Sequence, residues 1–105
     1  VKVTAFEIRS ALGPRPVKPV RDPDYRRYIR AQPCCVSGKS WSVEACHTGP
    51  HGIGQKSCDL TCIPLTRELH REYDASPMAF TEKHGLDVAA VVARLRAGYQ
   101  KKEAA

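Results

Sequence analysis

Between Glu44 and Asp74 the chain places three of its four histidines (His47, His51, His70), three of its five cysteines (Cys46, Cys58, Cys62) and the carboxylates Glu44, Asp59 and Asp74. The order of elements in this run limits what it can become. From Trp41 to His47 alternation sends Trp41, Val43 and Ala45 to one side and Ser42, Glu44 and Cys46 to the other, which predicts a strand with His47 at its exit. Thr48 to Ser57 contains Gly49, Pro50, Gly52 and Gly54 and predicts a loop, of a length that is usually functional or mobile in a small domain. Cys58 to Leu65 predicts a second strand limited by Pro64. Thr66 to Tyr73 then predicts a short helix with Leu65, Leu69 and Tyr73 on its buried stripe, and with His70 and Asp74 sharing the adjacent face.

The flanks are helical after a proline-rich start. Gly13, Pro14, Pro16 and Pro19 exclude a helix before Arg21, so residues 1–21 are expected to form a basic extended arm. Asp22 followed by Pro23 predicts a capped helix to about Ala31, with Tyr25, Tyr28 and Ile29 on one side and Arg26, Arg27 and Arg30 mainly on the other. Pro33 ends that helix. Cys35 to Gly38 is expected to be a strand end entering a turn at Ser37, Gly38 and Lys39. Ser76 and Pro77 start a third helix that stops at His84 and Gly85, and Asp87 caps a fourth, in which Val88, Val91, Val92, Leu95 and Tyr99 repeat at helical spacing before a frayed tail from Gln100. The expected domain spans residues 22–105, with a core at about 34–74 and C-terminal helices at about 76–99.

Size and charge bound the function. A chain of 105 residues makes one small core. The 17 Lys and Arg against 11 Asp and Glu give a net charge of +6. Residues 1–30 hold eight basic groups against three acids, so nearly all of the surplus lies there. Such a stretch suits a phosphate backbone or is simply solvated. A membrane surface is disfavoured because no amphipathic run with bulky apolar anchors accompanies the charge. Five cysteines, an odd number without the spacing of a secreted framework, and no N-terminal apolar segment ahead of a cleavage site, lead to the expectation of reduced thiols in the cytoplasm. No apolar run reaches the roughly 20 residues that a membrane helix needs.

The concentration of donors suggests phosphodiester hydrolysis, which requires a base for water, a cation for the developing charge and positive side chains for the strand. His47 at a strand exit can serve as the base. His70 and Asp74 on one helical face can take a divalent ion, with Cys46 across from them. Asp59 either ligates or orients the loop. Lys56, Arg67 and Arg71 surround the run.

The series Val43, Glu44, Ala45, Cys46, His47, a glycine-rich loop, Lys56, Asp59, Ile63, Pro64, Leu65 and the helical His70 resembles the HNH endonucleases, and within them the short phage and prophage branch. The likeness extends from Asp22, Pro23 and Tyr25 through Pro33, Cys35 and Gly38 to Phe80, His84, Gly85, Leu86 and Asp87. It implies an α+β fold, a small ββα-metal (HNH-type) domain with flanking helices beyond the basic arm. It further implies His47 as general base, His70 as metal-binding histidine, Asp74 where many members place another histidine, and Asp59 near the position of a middle asparagine. One divalent metal ion (Mg, Mn, Ni or Zn), DNA as partner, a recombinase filament as a further partner, and a bacterial or phage-encoded source all follow from the resemblance.

Two departures are visible. Cys46 stands where relatives carry a metal-binding Asp or His, and a thiolate biases the site toward zinc over magnesium. Gly38, Thr66 and Leu69 stand where many relatives have the cysteines of a structural zinc, so no four-cysteine zinc is expected.

Each residue also has a plainer reading. His47 and His70 can be hydrogen-bonded structural or helix-face histidines, Cys46 a core thiol, and His51 a solvated loop residue. His84 is expected to complement a helix dipole, and Cys34, Cys58 and Cys62 to pack. Glu44 is either a hydrogen-bonding partner of a ligand or a surface carboxylate. Arg26, Arg27 and Arg30, with Lys56 and Arg67, grip phosphates or remain solvated. The expected function is a metal-dependent DNA endonuclease, with a catalytically impaired HNH-like nucleic-acid-binding module as the alternative.

Overall fold

The computed structural model describes residues 20–49 and 58–104. Most of the basic arm, together with His51, Lys56 and the glycine-rich part of the loop, lies outside the described residues. Among the described residues the chain is a small α+β unit of four helices and one two-stranded antiparallel sheet.

Helix α1 (Pro23–Arg30) begins as its sequence predicts: Asp22 Oδ1 accepts the Tyr25 N–H at 3.0 Å, and Pro23 occupies the first turn, where its missing donor costs nothing. Tyr25 and Ile29, one turn apart, are fully buried. Strand β1 (Val43–His47) pairs with β2 (Cys62–Thr66) in the register Glu44 with Leu65, Cys46 with Ile63, and His47 with Cys62. All five residues of β2 are buried, since α1, the helix that follows and the C-terminal helix pack on it. That cover is needed, because an isolated two-stranded hairpin is marginal in water.

Three strand expectations are corrected. Cys35 to Gly38 is a turn, with Gly38 at φ 77° and its N–H bonded to the Cys34 carbonyl. The Cys35 N–H reaches the Pro64 carbonyl at 3.0 Å, but proline has no N–H to return, so no ladder grows there. The return strand starts at Val43 rather than Trp41, because Ser42 at φ 56° breaks the extended run and leaves Trp41 exposed. The second strand starts at Cys62, since Asp59–Thr61 forms a 3₁₀ turn.

Helix α2 (Arg67–Ala75) follows β2 directly and α3 (Pro77–His84) follows one residue later. Ser76 occupies the N-cap position of α3, yet its side chain makes no capping bond. Gly85 in the left-handed region closes α3, with the Leu86 N–H bonded to the Thr81 carbonyl at 2.9 Å. Phe80 meets Tyr73 edge to face at 5.5 Å, joining α3 to α2. Helix α4 (Val88–Ala104) is capped by Asp87, whose Oδ1 accepts the Ala90 N–H at 3.1 Å. It stays helical past Gln100, where fraying was expected. Leu95 buries against the core, and Tyr99 packs at 5.0 Å and 5.1 Å on Tyr25 and Tyr28.

Candidate metal centre

Sidedness along β1 separates two groups of side chains. Glu44 and Cys46, two residues apart, both face α2, where Cys46, His70 and Asp74 bring their donor atoms within 4.8 Å of one another. His70 and Asp74 are one helical turn apart, with Nε2 and Oδ2 at 3.4 Å. The other ring nitrogen, Nδ1, lies 2.8 Å from Glu44 Oε1. A carboxylate on one nitrogen orients the ring and leaves the other for a cation, the usual support of a ligating histidine. Of the two readings open to Glu44 in the sequence, a ligand's partner or a surface carboxylate, the structure shows its contact with the His70 ring. Arg67 Nε also stands 3.8 Å from Glu44.

The donor chemistry fits a divalent ion with a soft preference. Cys46 is fully buried, while Asp74 is exposed, so the trio is open on one side. Structural zinc sites are closed by four protein ligands, whereas an open position marks a site that can admit water or substrate. Burial first, then the nearby Asp74 carboxylate, pushes the Cys46 thiol well above its ordinary range. Loading the trio therefore displaces a proton.

His47, the next residue along β1, faces a different neighbourhood. Its Nε2 is 2.7 Å from Asp59 Oδ1. Asp59 is almost fully buried and also accepts the Asp22 N–H at 2.8 Å and an Arg21 guanidinium N–H at 3.1 Å. Arg26 Nε lies 3.1 Å from Oδ2 as an ion pair that is not aligned as a hydrogen bond. Burial alone would raise the Asp59 carboxyl, but the hydrogen bonds from His47 and the Asp22 amide, with the Arg26 charge, hold it below the usual carboxylate range. It is a permanent carboxylate at neutral pH.

Asp59, His47 and the buried Cys62 also lie within 4.8 Å as potential donors. A cation there would have to displace two arginines from the same carboxylate, which makes this group a poor metal site. Burial, with the Asp59 charge next, pushes the Cys62 thiol up to about 12.

The proposed basic grip is only partly free. Arg26 turns inward to Asp59, contrary to the expectation of a backbone-facing side chain, and Arg27 pairs with Asp24 at 2.7 Å on the surface. Arg30 and Arg67 are exposed. Val20 and Arg21, at the end of the expected extended arm, dock on Asp59: the Val20 carbonyl accepts the Asp59 N–H at 3.0 Å, next to the Arg21 contact. Sequence reading missed both arginine contacts because nothing local marks which of several arginines meets an acid so far along the chain, 38 residues away for Arg21. His84 stands at the end of α3 as expected, and its Nε2 lies 3.2 Å from Glu72 of α2. All five cysteines are free thiols. No helix among the described residues is long and apolar enough to cross a membrane.

Comparison with known proteins gives a family and no activity. No solved structure matches significantly. The chain is 34% identical over 64 residues to the Escherichia coli (strain K12) protein named Uncharacterized protein YdfU, covering 58% of this chain and 18% of that one. It thus spans less than a fifth of that relative's length. A family model matches residues 14–100, and on that match the chain belongs to the family described as protein of unknown function, DUF968.

Proposed function

We propose that this chain is an HNH-type, metal-dependent endonuclease that hydrolyses DNA phosphodiester bonds. The observation that carries the reading is the meeting of Cys46, His70 and Asp74 within 4.8 Å, with His47, tied to a buried carboxylate, as the next residue along β1.

The roles follow from the hydrogen bonds. In the neutral ring a proton on Nε2 is donated to the ionised Asp59, the tautomer that leaves the Nδ1 lone pair free. That nitrogen takes the proton of an attacking water. His70, Asp74 and Cys46 would hold a divalent ion, which would supply charge neutralisation for the phosphate and the departing oxygen. Glu44 holds His70 in the tautomer that leaves Nε2 for ligation. Arg30, Arg67 and Arg71 are exposed and can meet the strand backbone, and such contacts grip without reading sequence. The sulfur donor favours zinc among magnesium, manganese, nickel and zinc.

The buried thiol also favours a second reading, a nucleic-acid-binding module of the same architecture that holds zinc and does not cut. Cleavage of supercoiled plasmid by chelator-stripped protein, supplied with each of the four metals in turn, separates the two. The expected result is metal-dependent nicking that falls by roughly 10²–10⁴-fold in His47→Ala, the usual worth of a positioned base. Equal cutting by both proteins would reject His47 as the base, and DNA binding without cutting under any metal would favour the second reading.

A further inference from the structure

The single tryptophan of the chain, Trp41, is 65% exposed. A domain with so small a core would ordinarily bury its largest ring. The residue between Trp41 and β1 explains how it is kept out. Ser42 has φ 56°, the only left-handed non-glycine among the described residues, and its carbonyl accepts the N–H of Arg67, the first residue of α2, at 3.0 Å. An extended Ser42 would continue the alternation and set Trp41 on the side of Val43 and Ala45, both of which pack against the core. A strained serine held by a hydrogen bond from α2 presents the ring to solvent instead.

One neighbour is a cation: Lys39 Nζ lies 5.7 Å from the ring centroid. Arg67, whose backbone N–H fixes Ser42, carries a 69% exposed side chain that stands 3.8 Å from Glu44. A flat aromatic face with a cation at the ring, and a second basic residue on the adjoining helical turn, matches a nucleobase followed by its phosphates. Bases within a duplex have both faces covered by stacking, so such a ring can receive only an unpaired one. Its position is also informative. Trp41 precedes Cys46 by five residues, at most about 17 Å along an extended chain, and Arg67 links the two places through Glu44, which contacts His70. That separation corresponds to a few nucleotides of a single strand.

We propose that Trp41, with Lys39 and Arg67, is a stacking platform for an unpaired base a few nucleotides from the metal centre. The substrate class is then DNA carrying a single-stranded stretch next to the cleaved bond. The platform itself follows from the exposed ring and its cation, whereas its link to cleavage rests on the nuclease reading above.

Because Trp41 is the sole tryptophan, its fluorescence reports the contact directly. The full chain is titrated in EDTA, where no cutting occurs, with labelled oligothymidylate and with a mixed-sequence duplex of equal length, and label anisotropy is followed alongside. Saturable quenching by oligothymidylate, weaker with duplex, is expected. Trp41→Ala should lose roughly tenfold in single-strand affinity, within the range for one stacked base, while Trp41→Phe should retain most of it. No binding, binding without quenching, equal quenching by duplex, or unchanged affinity in Trp41→Ala would each overturn the platform. Quenching by a protein that cuts no plasmid under any metal would leave the platform standing and count against the nuclease. Metal-dependent cutting without quenching would do the reverse.

Discussion

Asp59 holds four partners with two oxygens: the His47 ring, the Asp22 N–H and the guanidinium groups of Arg21 and Arg26. Its carboxyl is held below the 3.8 of a free aspartate, so protonation is easier in the unfolded chain than in the folded one. The stability this gives is fully present above the unfolded value and is lost as pH falls through the depressed folded value. Wild-type protein should exceed Asp59→Asn by about 1–3 kcal/mol at pH 6, the cost of stripping a hydrogen-bonded buried charge whose partners are partly solvated. Urea denaturation should find that margin shrinking below about pH 4; an equal margin at pH 6 and pH 3 would remove Asp59 from the acid limb. His70, Asp74 and Cys46 were legible in the sequence because helical and strand periods alone set their relative faces. The Asp59 contacts were not, since a carboxylate in a 3₁₀ turn can point toward any of several arginines until the tertiary fold chooses. Glu44 was legible as a face and became a partner of the His70 ring only once α2 was packed.

At the scale of elements, α1 and α4 meet through three tyrosine rings, Tyr25, Tyr28 and Tyr99. Gly98 lets them close, since a Cβ placed there would lie 2.7 Å from Tyr28 Oη. Alanine in a helix interior normally gains about 1 kcal/mol over glycine, while overpacking costs about 1–3 kcal/mol. Gly98→Ala should therefore lose about 1 kcal/mol net by urea unfolding. In a Tyr28→Phe background, which removes the clashing oxygen, the same change should become stabilising; stabilisation in both backgrounds would mean that Tyr28 swings aside freely. The helices were readable to within a few residues because their signals are local: Asp22 with Pro23, Gly85, and Asp87. The strands were less so. Their limits depend on Pro64, which accepts a hydrogen bond from Cys35 but cannot return one, and on the conformation of Ser42, which no period announces.

For the whole molecule, a chain of 105 residues has a net stability of roughly 5–10 kcal/mol, so one bound ion is a large fraction of it. Zinc at about 100 times its dissociation constant should add about 2.7 kcal/mol to the folded state and raise the midpoint of thermal unfolding by roughly 10 °C or more. His70→Ala should abolish the shift, and Glu44→Gln should require about 10–100 times more zinc to reach it. An undiminished shift in His70→Ala would move the ion elsewhere. The candidate donors and the candidate base are contiguous in the chain, from Glu44 to Asp74, whereas Arg21 and Arg26 lie before them. Exchange of gene segments could thus carry the ion-holding unit into a new host protein as one block. The counter-charges of Asp59 would stay behind, and the recipient would have to evolve its own before the histidine beside it was held in place again.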